Sequence, residues 1–300
     1  MKAKLKIKQL KLDELKAADK FLLSFPLKPE LYYELWEKFV PLPLIMINQQ
    51  NEILFGIDLY HFLQLKNAVE VDVIQMDIFD KGALVLNYNL KEKFTGLNLY
   101  EKLVFIKKRT ASAADKDILL AEVSGIYRET GLDIAVNREL LEKLDLLLST
   151  VFRDGLINEH INLKTGLRLC DFLQEDSEVL LDLFGRIPFS SSHQLKILEM
   201  AEEILFRDKC TMGAVFERLD IERYMDMEKP QKKIIDELFK YRNPVYMEAE
   251  KKWQAEIKAL NLPDYINVSH YPFFEKKQLE LTIHLQDAGG LKKLIEKIKD

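Results

Sequence analysis

The chain has 300 residues, of which 48% are hydrophobic and 31% charged, with a net charge of −5 and an isoelectric point of about 5.7. This is the composition of a globular protein, and no apolar run reaches the roughly 18 residues that a membrane-spanning helix needs. The basic N-terminus lacks the continuous apolar stretch of a secretory signal, and Cys170 and Cys210 are too few for a disulfide framework. We therefore expect a cytoplasmic protein with reduced thiols and no membrane partner.

The net charge argues against a protein that coats nucleic acid, because such proteins usually present a basic face. Residues 111–245 carry eight more acidic than basic side chains, so the two flanking regions together are mildly basic. Any contact with DNA is therefore expected to depend on local basic patches.

The first 110 residues combine patterns of short strands and short helices. Alternating and short apolar runs predict strands at residues 2–12, 41–47, 53–55 and 69–79. Helical spacing predicts helices at residues 13–23, 28–39, 57–67 and 98–109. Residues 81–90 fit either a strand or a helix.

The pattern changes at residue 111 and again after residue 243. Strand patterns stop at the first point, and successive helices are predicted at residues 115–131, 137–155, 163–173, 177–187, 190–208, 211–221 and 230–242. The tail is predicted to form a helix at 245–263, two strands within 266–287 and a terminal helix at 288–300.

These patterns predict an α+β chain in three parts. They are an α+β domain at residues 1–110, a helical domain at 111–243 and a small helix–strand–strand–helix unit at 244–300. The last part is too small to bury a sizeable core alone, so we expect it to pack on the middle region or on a second copy of itself.

The stretch ILFGIDLYHFLQLKNAVEVDVIQM joins a short strand, one glycine, a helix and a Val-rich strand, and LVLNYNLKEKFTGLNLYEKLVFI follows it. This order resembles the N-terminal domain of the ParB family of chromosome-partitioning proteins, a fold shared with sulfiredoxin. In that family a Gly-Glu-Arg-Arg-type box follows the strand, and an Asn precedes an acidic pair that opens a helix. Gly56, Asn89 and the pair Glu101–Lys102 take those places here.

The resemblance extends into the helical part through the segment LEKLDLLLSTVFRDGLINEHINLKTGLRLCDFL. It looks like the family's Leu-rich helix, Gly-containing turn and shorter helix, a helix-turn-helix-like arrangement. The resemblance implies a ParB/sulfiredoxin-like N-terminal domain, a DNA-binding middle domain and a C-terminal unit for homodimerisation. It implies a role in DNA binding, chromosome partitioning or transcriptional regulation.

Two departures from the family concern its nucleotide site. The family's box arginines bind the phosphates of CTP, but Asp58 and Leu59 take the place of those arginines here, and Glu92 stands where the second motif has Arg. Because carboxylates repel a triphosphate, we expect Gly56 to be a turn residue kept by the fold. Of the implied nucleotide site, Gly56, Tyr60 and Asn89 remain. No cofactor is expected, and CTP or Mg²⁺ would bind only if this pocket is functional.

An acidic cluster offers an alternative function. If Asp58, Glu92 and Glu101 meet in the fold, they could hold Mg²⁺ and serve a phosphotransferase or nuclease. A solvated acidic rim, with Glu101 near a helix N-terminus, explains the same residues. The histidines and cysteines lack zinc-site spacing, so we expect no metal site. The ParB resemblance favours a non-catalytic protein and leaves the enzyme as the alternative.

Five basic residues are candidates for contact with nucleic acid: Lys107, Lys108, Arg109, Arg138 and Lys143. A solvated charged face is the other interpretation. The chain could also be a protein-interaction module that binds neither nucleotide nor DNA and uses the acidic helical surface for a protein partner.

Overall fold

A computed structural model of the chain describes residues 5–23, 45–78, 80–94, 96–111, 116–263, 265–274 and 278–285. Helices and strands both occur in these ranges, which confirms the mixed α and β class. The strands are β1 (Leu5–Lys11), β2 (Ile45–Ile47), β3 (Ile53–Phe55), β4 (Glu70–Met76), β5 (Ile266–His270) and β6 (Leu279–Ile283). The helices predicted at 28–39 and 288–300 and the first residues of the strand at 41–47 lie outside the described residues.

Most of the described structure is helical. The helices are α1 (Ile57–Leu65), α2 (Asp80–Phe94), α3 (Leu99–Thr110), α4 (Lys116–Thr130), α5 (Arg138–Leu147), α6 (Thr150–Ile157), α7 (Leu163–Leu169), α8 (Gln174–Arg186), α9 (Ser191–Asp208), α10 (Met212–Leu219), α11 (Pro230–Arg242) and α12 (Pro244–Ala259). Single 3-10 turns lie at Leu12–Glu14, Asp19–Phe21, Ile221–Tyr224 and Pro272–Phe274. Within the described ranges, no helix is both long and apolar enough to cross a membrane.

The chain divides into two compact units. The first is Met1–Leu198 with Thr211–Gly213, and the second is Glu199–Cys210 with Ala214–Asp300. The three domains predicted from the sequence, at residues 1–110, 111–243 and 244–300, stay a prediction.

A four-stranded sheet in the order β1-β4-β2-β3 lies in the first unit. Strand β4 pairs with β1 in the antiparallel sense and with β2 in the parallel sense, so it occupies an interior position. Ile45, Ile47 and Ile53 on the short strands and Val73 on β4 are at most 1% exposed and form the sheet's core. The alternating sequence of β4 predicts this arrangement, because alternate side chains of a strand point to one face.

The helix predicted at residues 13–23 is wrong. The structure has two 3-10 turns there, because the backbone of Lys16 pairs with the sheet. Its N–H donates to the carbonyl of Asn51 at 2.9 Å, and its carbonyl accepts from the N–H of Ile53 at 2.9 Å. A residue whose N–H and C=O both bond a neighbouring strand cannot use them for helical hydrogen bonds.

Two further predictions are resolved by the structure. Residues 81–90, which fit either a strand or a helix, lie in helix α2. The single helix predicted at residues 137–155 is wrong, because α5 and α6 are separate helices. The break lies at Ser149, whose backbone is extended with φ −66° and ψ 164°.

In the second unit, strands β5 and β6 form an antiparallel pair next in sequence to α12, as predicted for the tail. Aromatic rings join the hairpin to the helix. The ring of His270 stacks on Phe274 with centroids 3.8 Å apart and meets Trp253 of α12 edge-on at 5.3 Å. Such contacts hold a hairpin that has too few strands to be stable alone.

His270 adds a polar connection to this cluster. Its Nδ1 lies 2.7 Å from the carbonyl oxygen of Tyr271, and its Nε2 lies 2.8 Å from Oε2 of Glu250 on α12. Only the doubly protonated ring can donate to both oxygens. The hydrogen bond to Tyr271, together with that to Glu250, raises the pKa of His270 above its usual 6.5.

A group with a raised pKa in the folded state stabilises the fold fully below its unfolded pKa, and this stability is lost as the pH rises through the folded pKa. We therefore expect His270→Asn to lower the melting temperature more at about pH 5.5 than at about pH 9. His284→Asn, which changes an exposed histidine just after β6, is the control. Equal losses for His270→Asn at the two pH values would contradict the role of the protonated ring.

Candidate functional site

Gly56 lies between β3 and α1 in the left-handed conformation, with φ 86° and ψ 24°. Its carbonyl accepts the N–H of Tyr60 at 3.0 Å, which starts the helix. Asp58 lies in the first turn of α1, where the positive end of the helix dipole favours a carboxylate. Because L side chains rarely adopt such a φ, the backbone of this turn alone favours glycine.

The other two residues of the implied nucleotide site form hydrogen bonds within the chain. Tyr60 is buried, and its hydroxyl oxygen accepts from Nε2 of Gln64 at 2.8 Å. Asn89 is exposed on α2, and its Nδ2 donates to the carbonyl of Glu129 at 3.1 Å. Nucleotide binding by these residues stays a prediction.

Glu101 is a structural residue at the start of α3. It forms a capping box with Asn98: the Asn98 side chain accepts the N–H of Glu101 at 3.0 Å, and Oε2 of Glu101 accepts the N–H of Asn98 at 3.1 Å. Its other carboxylate oxygen lies 2.7 Å from Nζ of Lys91. Both oxygens of this buried carboxylate therefore have partners in the chain.

Glu92 is also engaged. Its Oε2 accepts the N–H of Leu97 at 2.8 Å, and its Oε1 lies 3.7 Å from Nζ of Lys102. The same ammonium donates to Asp133 at 3.0 Å, and that hydrogen bond lowers the pKa of the Asp133 carboxyl.

The acidic cluster expected from Asp58, Glu92 and Glu101 does not form. Among the residues that the structure describes, no three His, Cys, Asp or Glu side chains come together as a metal site. Lysines lie instead against Glu92 and Glu101, and each carboxylate is balanced by its own ammonium group. The alternative of an Mg²⁺-dependent phosphotransferase or nuclease therefore has no such cluster among the described residues to rest on, and it stays a prediction.

The basic run at the end of α3 points largely inward. Lys107 remains half-exposed and pairs with Asp145 at 2.8 Å. The ammonium of Lys108 donates to the carbonyls of Asp19 and of Leu22, the latter at 2.7 Å, and burial lowers its pKa. Arg109 is only 5% exposed. Lys108 and Arg109 are thus engaged within the chain, and their contact with DNA stays a prediction.

The remaining two candidates belong to α5. Arg138 is exposed and pairs with Glu142 at 2.6 Å. Lys143 is mostly covered and donates to the carbonyl of Leu167 at 3.0 Å, while its ammonium lies 2.8 Å from Asp171. Lys143 thus ties α5 to α7, and only Arg138 presents its charge at the surface.

A basic pair on α7 was missed by the sequence analysis. Lys164 and Arg168 are exposed and lie four residues apart, so they share one face of the helix. Thr165, Gly166 and Leu169 are buried on the opposite face. The four-residue spacing of this pair can be seen in the sequence. The pair was not predicted as a DNA contact because the surrounding region is acidic overall.

The position of α7 is fixed by a polar network. Asn162 caps the helix by accepting the N–H of Thr165 at 2.9 Å, and its Nδ2 donates to Oγ of Ser191 at 2.5 Å. The Thr165 hydroxyl donates to Gln194 at 2.9 Å, and Gln194 donates in turn to the carbonyl of His160 at 2.6 Å. The network joins both ends of the turn before α7 to the first turns of α9.

Gly166 allows close packing of α7 on α5. A Cβ at this position would lie 3.0 Å from Cδ2 of Leu147, closer than ordinary contact. The distance between the two helices therefore depends on the missing side chain.

Replacing Glu101 tests its structural role. We expect Glu101→Ala to lower the free energy of unfolding by about 2–3 kcal/mol, because it removes the capping box and the carboxylate beside Lys91. Glu101→Gln should cost less, since glutamine can still accept from the Asn98 N–H. Urea unfolding measures both changes. Native stability in both variants would show that the carboxylate is not needed for folding.

Replacing Gly56 tests the turn. We expect Gly56→Ala to destabilise the protein by about 1–2 kcal/mol through its left-handed backbone. Gly56→Asn should lose less, because asparagine tolerates this conformation better than alanine. The same urea titration measures the difference, and equal losses would indicate that backbone conformation does not decide the residue at this turn.

Comparisons with known proteins find similarity only at the level of solved structures. No protein-family model matches the chain, and no curated protein matches it. The pNOB8-like ParB N-domain is 12% identical, with a TM-score of 0.38 over 78% of this chain and 96% of that chain. The C2221 form of a pNOB8-like ParB N domain is 16% identical, with a TM-score of 0.40 over 81% of this chain and 97% of that chain. TM-scores in this range do not establish a common fold.

Proposed function

We propose that the chain is a ParB-like DNA-binding protein that acts in partitioning or gene regulation without the family's CTP switch. The observation that carries the proposal is the pair Lys164 and Arg168 on the exposed face of α7. Helix α7 follows α6 after the short turn at residues 158–162, an order that suits a helix–turn–helix pair. In such pairs the second helix enters the major groove of DNA.

The packing of α7 suits this role. A helix that reads DNA must be held rigidly. The buried Thr165 and Gly166 and the cap at Asn162 hold α7 against the rest of the first unit. Lys164 and Arg168 are both exposed on the opposite side of the helix. Lysine and arginine at four-residue spacing can contact a phosphate and a base edge within one groove.

The neighbouring start of α9 supports a backbone contact beside α7. Ser190, Ser192 and His193 are exposed at the first turn of this 18-residue helix. Serine hydroxyls and the positive end of a helix dipole are both suited to a phosphate group. The proposed DNA surface thus combines α7 with the first turn of α9.

The absence of a CTP switch is proposed on the charges around Gly56. Asp58 lies in the first turn of the helix that follows this glycine, where a phosphate-binding site would need a cation. The resemblance in the order strand, glycine, helix and Val-rich strand supports the ParB-like assignment. We propose DNA as the main partner and a homodimer as the active form, since a second copy would double the phosphate contacts.

A protein-interaction module is the second candidate. The exposed apolar side chains of β6 favour it: Leu279 is 56% and Leu281 57% exposed. Both lie on the same face of the strand, which suits contact with another protein. This candidate predicts no DNA binding at any salt concentration.

DNA binding should depend on Lys164 and Arg168. We expect the protein to bind a mixed-sequence duplex with an affinity that falls steeply with salt. The double variant Lys164→Ala with Arg168→Ala should bind more weakly and reduce the slope of log K against log salt by about 1–2. Fluorescence anisotropy of a labelled duplex, measured over a range of salt concentrations, gives both quantities.

The matched control is Lys232→Ala with Lys233→Ala, which removes two exposed lysines from α11. This variant should keep the wild-type salt slope. Equal weakening by the two double variants would show that net charge, and not the face of α7, governs binding. If the wild-type protein does not bind the duplex even in low salt, the proposed DNA-binding function is wrong.

A further inference from the structure

A groove lies between three helices of the first unit, and its lining includes neither Gly56 nor a residue of α7. It has a volume of about 740 Å³, within the range usual for small-molecule sites. The residues that line it come from α2, α3 and α4: Lys81, Gly82, Val85, Arg109, Glu122, Gly125 and Glu129.

The buried Arg109 is the central residue of the groove. Its Nη2 lies 3.0 Å from Glu129 and 3.4 Å from Glu122, so a single nitrogen serves both carboxylates. Its Nε is buried and has no hydrogen-bond partner. A guanidinium usually satisfies a carboxylate or phosphate through two parallel N–H groups. The present partners of Arg109 therefore leave its hydrogen-bonding capacity incomplete.

The two glycines of the groove differ in what they allow. A Cβ on Gly82 would lie 3.1 Å from Cγ1 of Ile78, so packing explains that glycine. A Cβ on Gly125 would lie 3.7 Å from Nη2 of Arg109, an ordinary contact distance that alanine could adopt. Glycine within a helix is less favourable than alanine. What Gly125 provides is an open space beside the guanidinium.

The two carboxylates of the groove differ in their exposure and in their number of cationic partners. Glu122 is 15% exposed and is shared by Arg109 and Lys81. Glu129 is 46% exposed and lies near the end of α4. An exposed carboxylate loses little when it moves into water. If an anion takes the place of Glu129, Arg109 and Lys81 are left with Glu122 as their carboxylate partner in the groove. The negative charge of the anion is then balanced by these two cations.

From this geometry we propose that the groove binds the carboxylate or phosphate group of a small organic molecule. The anionic group takes the place of Glu129 beside Arg109, and Lys81 contacts it from the rim. Val85 and the open space at Gly125 accept the apolar part of the ligand. This site is independent of the proposed DNA surface.

The test uses the full-length protein with two probes, inorganic phosphate and succinate, which distinguish the two anion sources. Binding is followed through the backbone amide resonances of Gly82 and Gly125 in NMR titrations. We expect at least one probe to shift both resonances in a saturable manner. Glu129→Gln removes the competing carboxylate and should tighten binding by about two- to fivefold. Gly125→Met fills the space and should abolish the shift of the Gly82 resonance, which this variant retains.

Glu142→Gln is the matched control, because it removes an exposed carboxylate that is paired with Arg138 on α5. It should leave the affinity for the probe unchanged. The proposal is overturned if neither probe shifts the glycine resonances, or if Glu129→Gln and Glu142→Gln have the same effect. The double variant Lys164→Ala with Arg168→Ala should bind the probe as the wild type does, so a failure of DNA binding leaves this test intact.

Discussion

The interior position of β4 is the constraint on which the first unit depends. This strand pairs on one side with β1 and on the other with β2, in opposite senses. Ile45, Ile47 and Val73 are buried where these pairings bring them together. The parallel pair requires a connection between β2 and β4 that leaves the sheet and returns. Strand β3 still belongs to the sheet, and the turn at Gly56 and helix α1 then lead out of the sheet and back to β4.

Much of this arrangement could be predicted from local sequence. Alternating side chains predict β1 and β4, and an asparagine followed three residues later by a glutamate is typical of the cap at Asn98. Residues 13–23 could not be read in this way. Their apolar spacing fits a helix, but Lys16 bonds to Asn51 and Ile53, which are far away in the sequence. Tertiary pairing of the backbone outweighed local preference.

The candidate site was harder to predict because the partners of charged residues are distant in sequence. Lys102 meets Asp133, Arg109 meets Glu129, and Lys143 meets Asp171. A run of cations such as Lys107 to Arg109 looks like a surface patch until these partners are known. The sequence pattern that indicates the proposed DNA surface is shorter than this run. It consists of Lys164 and Arg168 on one face of α7, opposite the face that is buried.

Strand β1 has a further consequence. It lies at an edge of the sheet, where its outer backbone groups could pair with a strand of another molecule. Ile7, at 79% exposure, would favour such pairing, whereas the exposed Lys6, Lys8 and Lys11 repel a second copy of the same edge. Salt weakens that repulsion, because the screening length falls from about 10 Å at 0.1 M to about 3 Å at 1 M. We therefore expect high salt to favour association of two copies through this edge, where low salt disfavours it.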